Sequence, residues 1–181
     1  MPKLPRDPRD DIVAYLPGLR AFAISLTRNH ALADDMVQDT ILKAWSRIDQ
    51  FRAGTNMQAW LFTILRNTYY SHRRKRAREV QDVAQIYTDT LVTKPDHDGT
   101  LQMRDFYRAL ARLPPAQRET LMLLGAAGYS YDEVAEICGV ASGTIKSRAN
   151  RARRRLAQLM DLDQGGAVSI TDAVTRGIVG G

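Results

Sequence analysis

The stretch SYDEVAEICGVASGTIKSRANRARRRL, residues 130–156, decides the fold of this chain. Ser130 followed three residues later by Glu133 is the pattern of a capping box, in which the serine oxygen takes an N–H of the first turn and the glutamate reaches back to the N–H of the cap. It opens a short helix, Tyr131 to Cys138, with Val134, Ala135 and Ile137 on its inner face. Gly139 supplies a sharp turn. Ser142 or Thr144 is expected to cap a second helix, in which Ile145, Ala149, Ala152, Leu156 and Leu159 face inward. Lys146, Ser147, Arg148, Asn150 and Arg151 are left facing out. Small Ala135 and the glycine turn let the two helices cross closely, which makes the stretch a helix-turn-helix.

An ordinary helical hairpin with a solvated basic face would share part of this pattern. Here the capping box, the turn, the apolar register and the basic outer face all agree within one stretch. From Val140 to Met160 there are six bases (Lys146, Arg148, Arg151, Arg153, Arg154 and Arg155) and no acid. Such a helix suits the major groove of double-stranded DNA, where arginine and lysine pair with guanine and asparagine with adenine while later arginines hold phosphates.

Charge elsewhere follows blocks. Arg52 to Arg78 holds seven bases (Arg52, Arg66, Arg73, Arg74, Lys75, Arg76 and Arg78) and no acid. Between the basic blocks, Glu79 to Asp105 carries six acids against two bases. The net charge of +6 therefore comes from two separated regions, as expected of a polyanion-binding chain.

Apolar residues recur every three or four positions through most of the 181 residues, and no sustained alternation suggests a strand, so the fold class is all-α. Met36, Val37, Ile41, Ala44, Trp45 and Ile48 are expected on one helical face, after an earlier helix around Leu19 to Leu26 and a polar turn, Thr27 to His30. A third helix starts after Gly54, with Thr55 or Asn56 as cap, carries Trp60, Leu61, Ile64, Leu65 and Thr68 inward, and ends in the arginine cluster. Residues 11–78 thus form one small helical domain and 79–101 a flexible acidic linker; 102–160 form a second domain and 161–181 a glycine-rich tail of unassigned role. In the second domain Met103, Phe106, Tyr107 and Leu110 line a helix that stops before Pro114, and Pro115 sits in the first turn of the next, Ala116 to Ala126, closed by Gly128.

A single cysteine, Cys138, no charged-then-apolar leader and no apolar run near ~20 residues point to a cytoplasmic protein off the membrane. Scattered His30, His72 and His97, no phosphate-binding loop and no metal-ligand spacing argue against an enzyme, a cofactor or a metal. The third helix interleaves Trp60, Phe62, Tyr69 and Tyr70 with bases, a mixture suited to stacking unpaired bases while cations hold the backbone; residues such as Trp60 and Phe62 are more often core than stacking platforms, whereas Tyr69 and Tyr70 sit nearer the charged end.

At this point the sequence resembles a known family. Ala33-Asp-Asp-Met-Val-Gln-Asp-Thr40, Phe51-Arg-Ala-Gly-Thr-Asn56, Ala59-Trp-Leu-Phe-Thr-Ile-Leu-Arg-Asn67 and Tyr129-Ser-Tyr-Asp-Glu-Val-Ala135 match the two domains of extracytoplasmic-function sigma factors, bacterial initiation subunits of RNA polymerase. Gly143-Thr-Ile-Lys-Ser-Arg148 and Arg151-Ala-Arg-Arg-Arg-Leu156 complete the match. The resemblance implies a first domain that binds core polymerase and melts the minus ten element, and a second that reads the minus thirty-five element as duplex. Its implied polymerase-binding residues are Asp35, Gln38 and Asp39, which also make one polar stripe at i, i+3 and i+4. Implied minus ten residues are Arg52, Thr55, Asn56, Arg66, Asn67, Tyr70, Arg73 and Arg74; minus thirty-five residues are Ser142, Thr144, Lys146, Ser147, Arg148, Asn150, Arg151 and Arg154. Asn56 matches a segment that captures a flipped base, and it equally fits a simple helix cap. The acidic linker would run through polymerase near the RNA path.

The wording Gly54-Thr-Asn-Met-Gln-Ala-Trp-Leu-Phe-Thr-Ile-Leu-Arg-Asn67 is most similar to the general stress response (EcfG-type) group of alphaproteobacteria. That implies an anti-sigma factor removed by a sigma-mimicking response regulator. The implied partners are core RNA polymerase, through its clamp and flap regions, promoter DNA and the anti-sigma factor, with the chain a monomer when free or one-to-one with that factor. Rival readings are a sigma-like decoy, which would be expected to lose basic residues from its recognition helix, and a stand-alone repressor, which would bind DNA without polymerase.

Overall fold

The computed structural model describes residues 8–52, 54–82 and 101–160, and every regular element among them is helical. In chain order these are α1 (Pro8–Asp11), a 3-10 turn (Ile12–Tyr15), α2 (Leu16–Thr27), α3 (His30–Ser46), a second 3-10 turn (Ile48–Gln50) and α4 (Met57–Asp82). They continue with α5 (Leu101–Ala111), α6 (Pro115–Leu121), a π turn (Met122–Ala126), α7 (Tyr131–Cys138) and α8 (Ser142–Leu159). They fall into two compact units, α1 to α4 and α5 to α8. The rest of the expected linker, 83–100, and the tail from 161 lie outside the described residues.

In the first unit α2, α3 and α4 pack on one another. The turn between α2 and α3 is built from local polar chemistry. Arg28 takes the left-handed conformation (φ 57°) and donates its N–H to the Ile24 carbonyl, while the Asn29 side chain caps α3 by accepting from Leu32 N–H at 2.9 Å. Leu19, Phe22, Leu26, Ala33, Met36, Leu61, Phe62 and Leu65 are buried. Phe62 meets Phe22 edge-on at 4.9 Å, so Phe62 belongs to the core and is no stacking platform. Each such leucine contributes roughly 2 kcal/mol by leaving water, far more than an exposed ion pair, so this apolar face sets the packing.

Two expectations need correction. Trp45 was expected on the buried face, yet it is 54% exposed, because at about 100° per residue it lies well round from fully buried Ala44. Val37, Ile41 and Ile48 are only partly buried, and Ile48 lies beyond the end of α3 in a 3-10 turn.

In the second unit Phe106, Ala109, Leu110 and Leu113 form the α5 side of the core. Pro115 opens α6, where its missing N–H costs nothing. Arg118, fully within the core, donates Nη1 to the Ala111 carbonyl at 3.0 Å and so ties α6 to the end of α5. The expected helix Ala116 to Ala126 widens after Leu121 into a π turn, marked by Ala127 N–H on the Met122 carbonyl at 3.2 Å.

Candidate nucleic-acid interfaces

The turn of the helix-turn-helix is assembled as its sequence dictates. Ser130 Oγ accepts from Glu133 N–H at 3.3 Å, and Glu133 Oε2 accepts from Ser130 N–H and Oγ–H at 2.8 Å each. The Ser130 N–H, then its hydroxyl, hold the Glu133 carboxyl below the usual range. Gly139 closes α7 at φ 65°, a conformation that only glycine adopts freely. The start of α8 differs from expectation. Neither Ser142 nor Thr144 caps it: the helix begins one residue earlier, and Ala141 occupies the cap position with no side chain able to accept. Ser142 Oγ is instead buried.

Ile145, Ala149, Ala152 and Leu156 face the core, whereas Leu159 is only partly buried. Lys146, Ser147, Asn150, Arg151 and Arg154 are exposed along the outer side. Ser142, Thr144 and Arg148 sit at the margin, partly buried, with Arg148 Nη1 turned out of solvent, so Arg148 does not stand fully outward as expected. Arg153 is also partly buried, and its Nη1 donates to the Tyr131 hydroxyl. Cys138 is buried in the apolar face of α7.

On the first unit the loop before α4 is a tight turn. Thr55 donates both its N–H, at 3.1 Å, and its hydroxyl, at 2.7 Å, to the Arg52 carbonyl, with Gly54 at φ 88° between them. Asn56, not Thr55, caps α4: its Oδ1 accepts from Ala59 N–H at 3.1 Å and its carbonyl from Trp60 N–H. The exposed Asn56 amide nitrogen has no partner among the described residues, so capping leaves it open to a further acceptor. Phe51 packs on partly buried Trp60 at 5.4 Å and pins the loop to the helix.

Further along α4, Arg66 lies over the Tyr70 ring at 4.7 Å and Arg73 over the Tyr69 ring at 5.9 Å. The two tyrosine rings meet edge-on at 5.2 Å, Tyr69 buried and Tyr70 partly so. Asn67, Arg73 and Arg74 are exposed beside them, Arg74 also donating to Ser71 Oγ at 3.2 Å. The structure gathers Arg66, Asn67, Tyr70, Arg73 and Arg74 on one side of α4. Arg52, Thr55 and Asn56 lie just before its first turn, with Arg66 about 15 Å and Arg74 about 27 Å further along the axis from Asn56 at 1.5 Å per residue. From Ser71 to Arg78 only His72 is partly buried, so the basic end of α4 is solvated nearly all round.

Asp35, Gln38 and Asp39 form the expected exposed stripe on α3. Asp34 is separate from it: Arg20 donates to it at 2.7 and 3.4 Å, holding the Asp34 carboxyl below its usual range chiefly through that hydrogen bond. Leu42, 61% exposed, and Trp45 extend the stripe as apolar neighbours. The signal for both lay in the helical angle rather than in residue type.

Among the described residues no group of histidine, cysteine or carboxylate side chains could hold a metal, and no helix is long and apolar enough to cross a membrane. The family models for Sigma-70 region 2 and Sigma-70, region 4 match residues 12–79 and 103–156. The chain is 51% identical to the ECF RNA polymerase sigma factor EcfG of Rhodopseudomonas palustris (strain TIE-1) over 96% of its own length and 95% of that protein. It is similar in structure to the sigma factor RpoE of Bartonella quintana, solved in complex with the anti-sigma factor NepR. That match has a TM-score of 0.79 at 50% identity and covers 87% of this chain and 99% of that one. CnrH, solved with the cytosolic domain of CnrY, is similar at TM-score 0.60 and 28% identity, over 86% of this chain and 89% of that one. Matched in both regions and along nearly its whole length, the chain belongs to the extracytoplasmic-function RNA polymerase sigma factors.

Proposed function

We propose that this sigma factor brings RNA polymerase to stress-response promoters in the cytoplasm, without catalytic chemistry of its own, and is held inactive by a NepR-type anti-sigma factor. In this reading residues 11–78 carry the polymerase stripe Asp35, Gln38 and Asp39. They also carry the minus ten determinants Arg52, Thr55, Asn56, Arg66, Asn67, Tyr70, Arg73 and Arg74. Residues 102–160 read the minus thirty-five duplex through Lys146, Ser147, Asn150, Arg151 and Arg154, with Ser142, Thr144 and Arg148 at the margin. The observation that carries the reading is the pair of acid-free basic stretches, α4 up to Arg78 and the whole of α8, placed on two separate units. One is aromatic-rich beside its cations, as unpaired bases require; the other is an open polar face, as a groove requires.

The test combines the full chain with core RNA polymerase on genomic DNA and maps transcript starts with and without a NepR-type protein. Starts preceded by two spaced motifs, and silenced by the added protein, are expected. Equal DNA footprints without polymerase would identify a stand-alone repressor, and core binding without transcripts a decoy.

A further inference from the structure

Arg153 belongs to the acid-free basic run of α8, yet its guanidinium is engaged inside the protein. Its Nη1 donates to the Tyr131 hydroxyl at 3.0 Å in a part-buried position, joining residues 22 apart in the chain. Tyr131 is the first residue of α7, immediately after the Ser130 cap. The bond therefore ties the start of the first helix of the motif to the second half of the other.

Val134, Ala135 and Ile137 of α7 and Ile145, Ala149 and Ala152 of α8, helices that pack on each other, are all buried. The hydrophobic driving force is itself non-directional, and side-chain packing between helices sets only a preferred crossing angle with a scatter of about 15–20°. A charge-assisted hydrogen bond is directional. The chain connection at Gly139 holds the motif at one end, and the Tyr131–Arg153 bond holds it away from that turn.

We propose that Tyr131 and Arg153 are positioning residues that set the crossing angle of α7 and α8, and so the aim of Lys146, Ser147, Asn150 and Arg151. Arg153 is correspondingly withdrawn from phosphate binding. The proposal rests on α8 being the duplex-reading helix, so its test must separate the two claims.

The experiment uses the full chain assembled with core polymerase, a pool of linear duplexes randomised upstream of a fixed start region, and several salt concentrations. Tyr131→Phe removes only the hydroxyl and keeps the ring and the cap. It is expected to lower enrichment of the selected upstream motif over random sequence by roughly fivefold, as loss of one hydrogen bond allows. Affinity for random duplex and the slope of binding against salt are expected to stay unchanged, a split that general destabilisation would not produce. Arg153→Gln is expected to do the same, and the double variant to be no worse than either single one. A salt slope reduced by about one contact in Arg153→Gln would show a phosphate ligand and overturn the proposal, as would full enrichment by Tyr131→Phe. If Asn150→Ala with Arg151→Ala leaves enrichment intact, α8 is not the reader, and the proposal falls with that reading.

Discussion

Lys43 of α3 donates its ammonium to the hydroxyl of Thr68 on α4 at 2.9 Å, linking the helix that carries the exposed Asp35, Gln38 and Asp39 to the helix that carries the tyrosines and the basic run. Thr68 is buried and Lys43 partly so. Removing the acceptor alone strands a partly desolvated charge. Thr68→Val is therefore expected to destabilise the chain by about 1–2 kcal/mol, and Lys43→Met, which removes the charge as well, by less. Urea unfolding of both variants measures this; a larger loss in Lys43→Met would mean that the lysine stem, and not the hydrogen bond, carries the contact.

Asn56 has two jobs to separate, because Oδ1 caps α4 while the amide nitrogen is open. Asn56→Ala is expected to cost about 1 kcal/mol of stability through the lost cap. Asn56→Ser keeps a capping oxygen and loses the amide, so stability should hold while polymerase-bound affinity for a pre-melted promoter drops. Unchanged binding by the serine variant would reduce Asn56 to a cap.

Asp35→Arg with Asp39→Arg is expected to abolish co-purification with core polymerase while the helical fold survives, since both side chains are exposed. Asp34→Asn, whose carboxylate already faces Arg20, should leave core binding nearly intact. Comparable loss in Asp34→Asn would move the interface round the helix.

The capping box predicts a pH dependence with a definite sign. The Glu133 carboxyl is depressed in the folded chain, so its stabilisation is present above the ordinary glutamate value of 4.5 and is lost as pH falls through the lower folded value. The difference in unfolding midpoint between the protein and Glu133→Ala should be largest near neutrality and shrink in acid. A difference constant across that range would show that the carboxylate charge plays no part.

Local grammar made much of this legible from sequence. Ser130, Glu133 and Gly139 act within a few residues of one another, and the structure forms their box and turn as read. The cap of α8 was not legible, because Ser142 and Thr144 both lie near a start that packing places after Ala141. Trp45 was grouped with Ala44 on one apolar face, yet adjacent residues of a helix lie about 100° apart, and Trp45 falls on the exposed side. The Arg153–Tyr131 and Lys43–Thr68 bonds join residues 22 and 25 apart, distances over which single-chain periodicity carries no signal. Nor does composition foretell that Arg66 would cover Tyr70, so that a base stacking on that covered face must displace a guanidinium.

The solvated end of α4 sets Arg73, Arg74, Lys75, Arg76 and Arg78 within two turns of one another with no acid before Glu79. Like charges three and four residues apart push on each other, and dissolved anions relieve that push by gathering round the helix. The same anions compete with phosphates for the same side chains. Added sulfate or phosphate should therefore firm the free helix while loosening the protein from DNA, two opposite salt responses from one short run of residues.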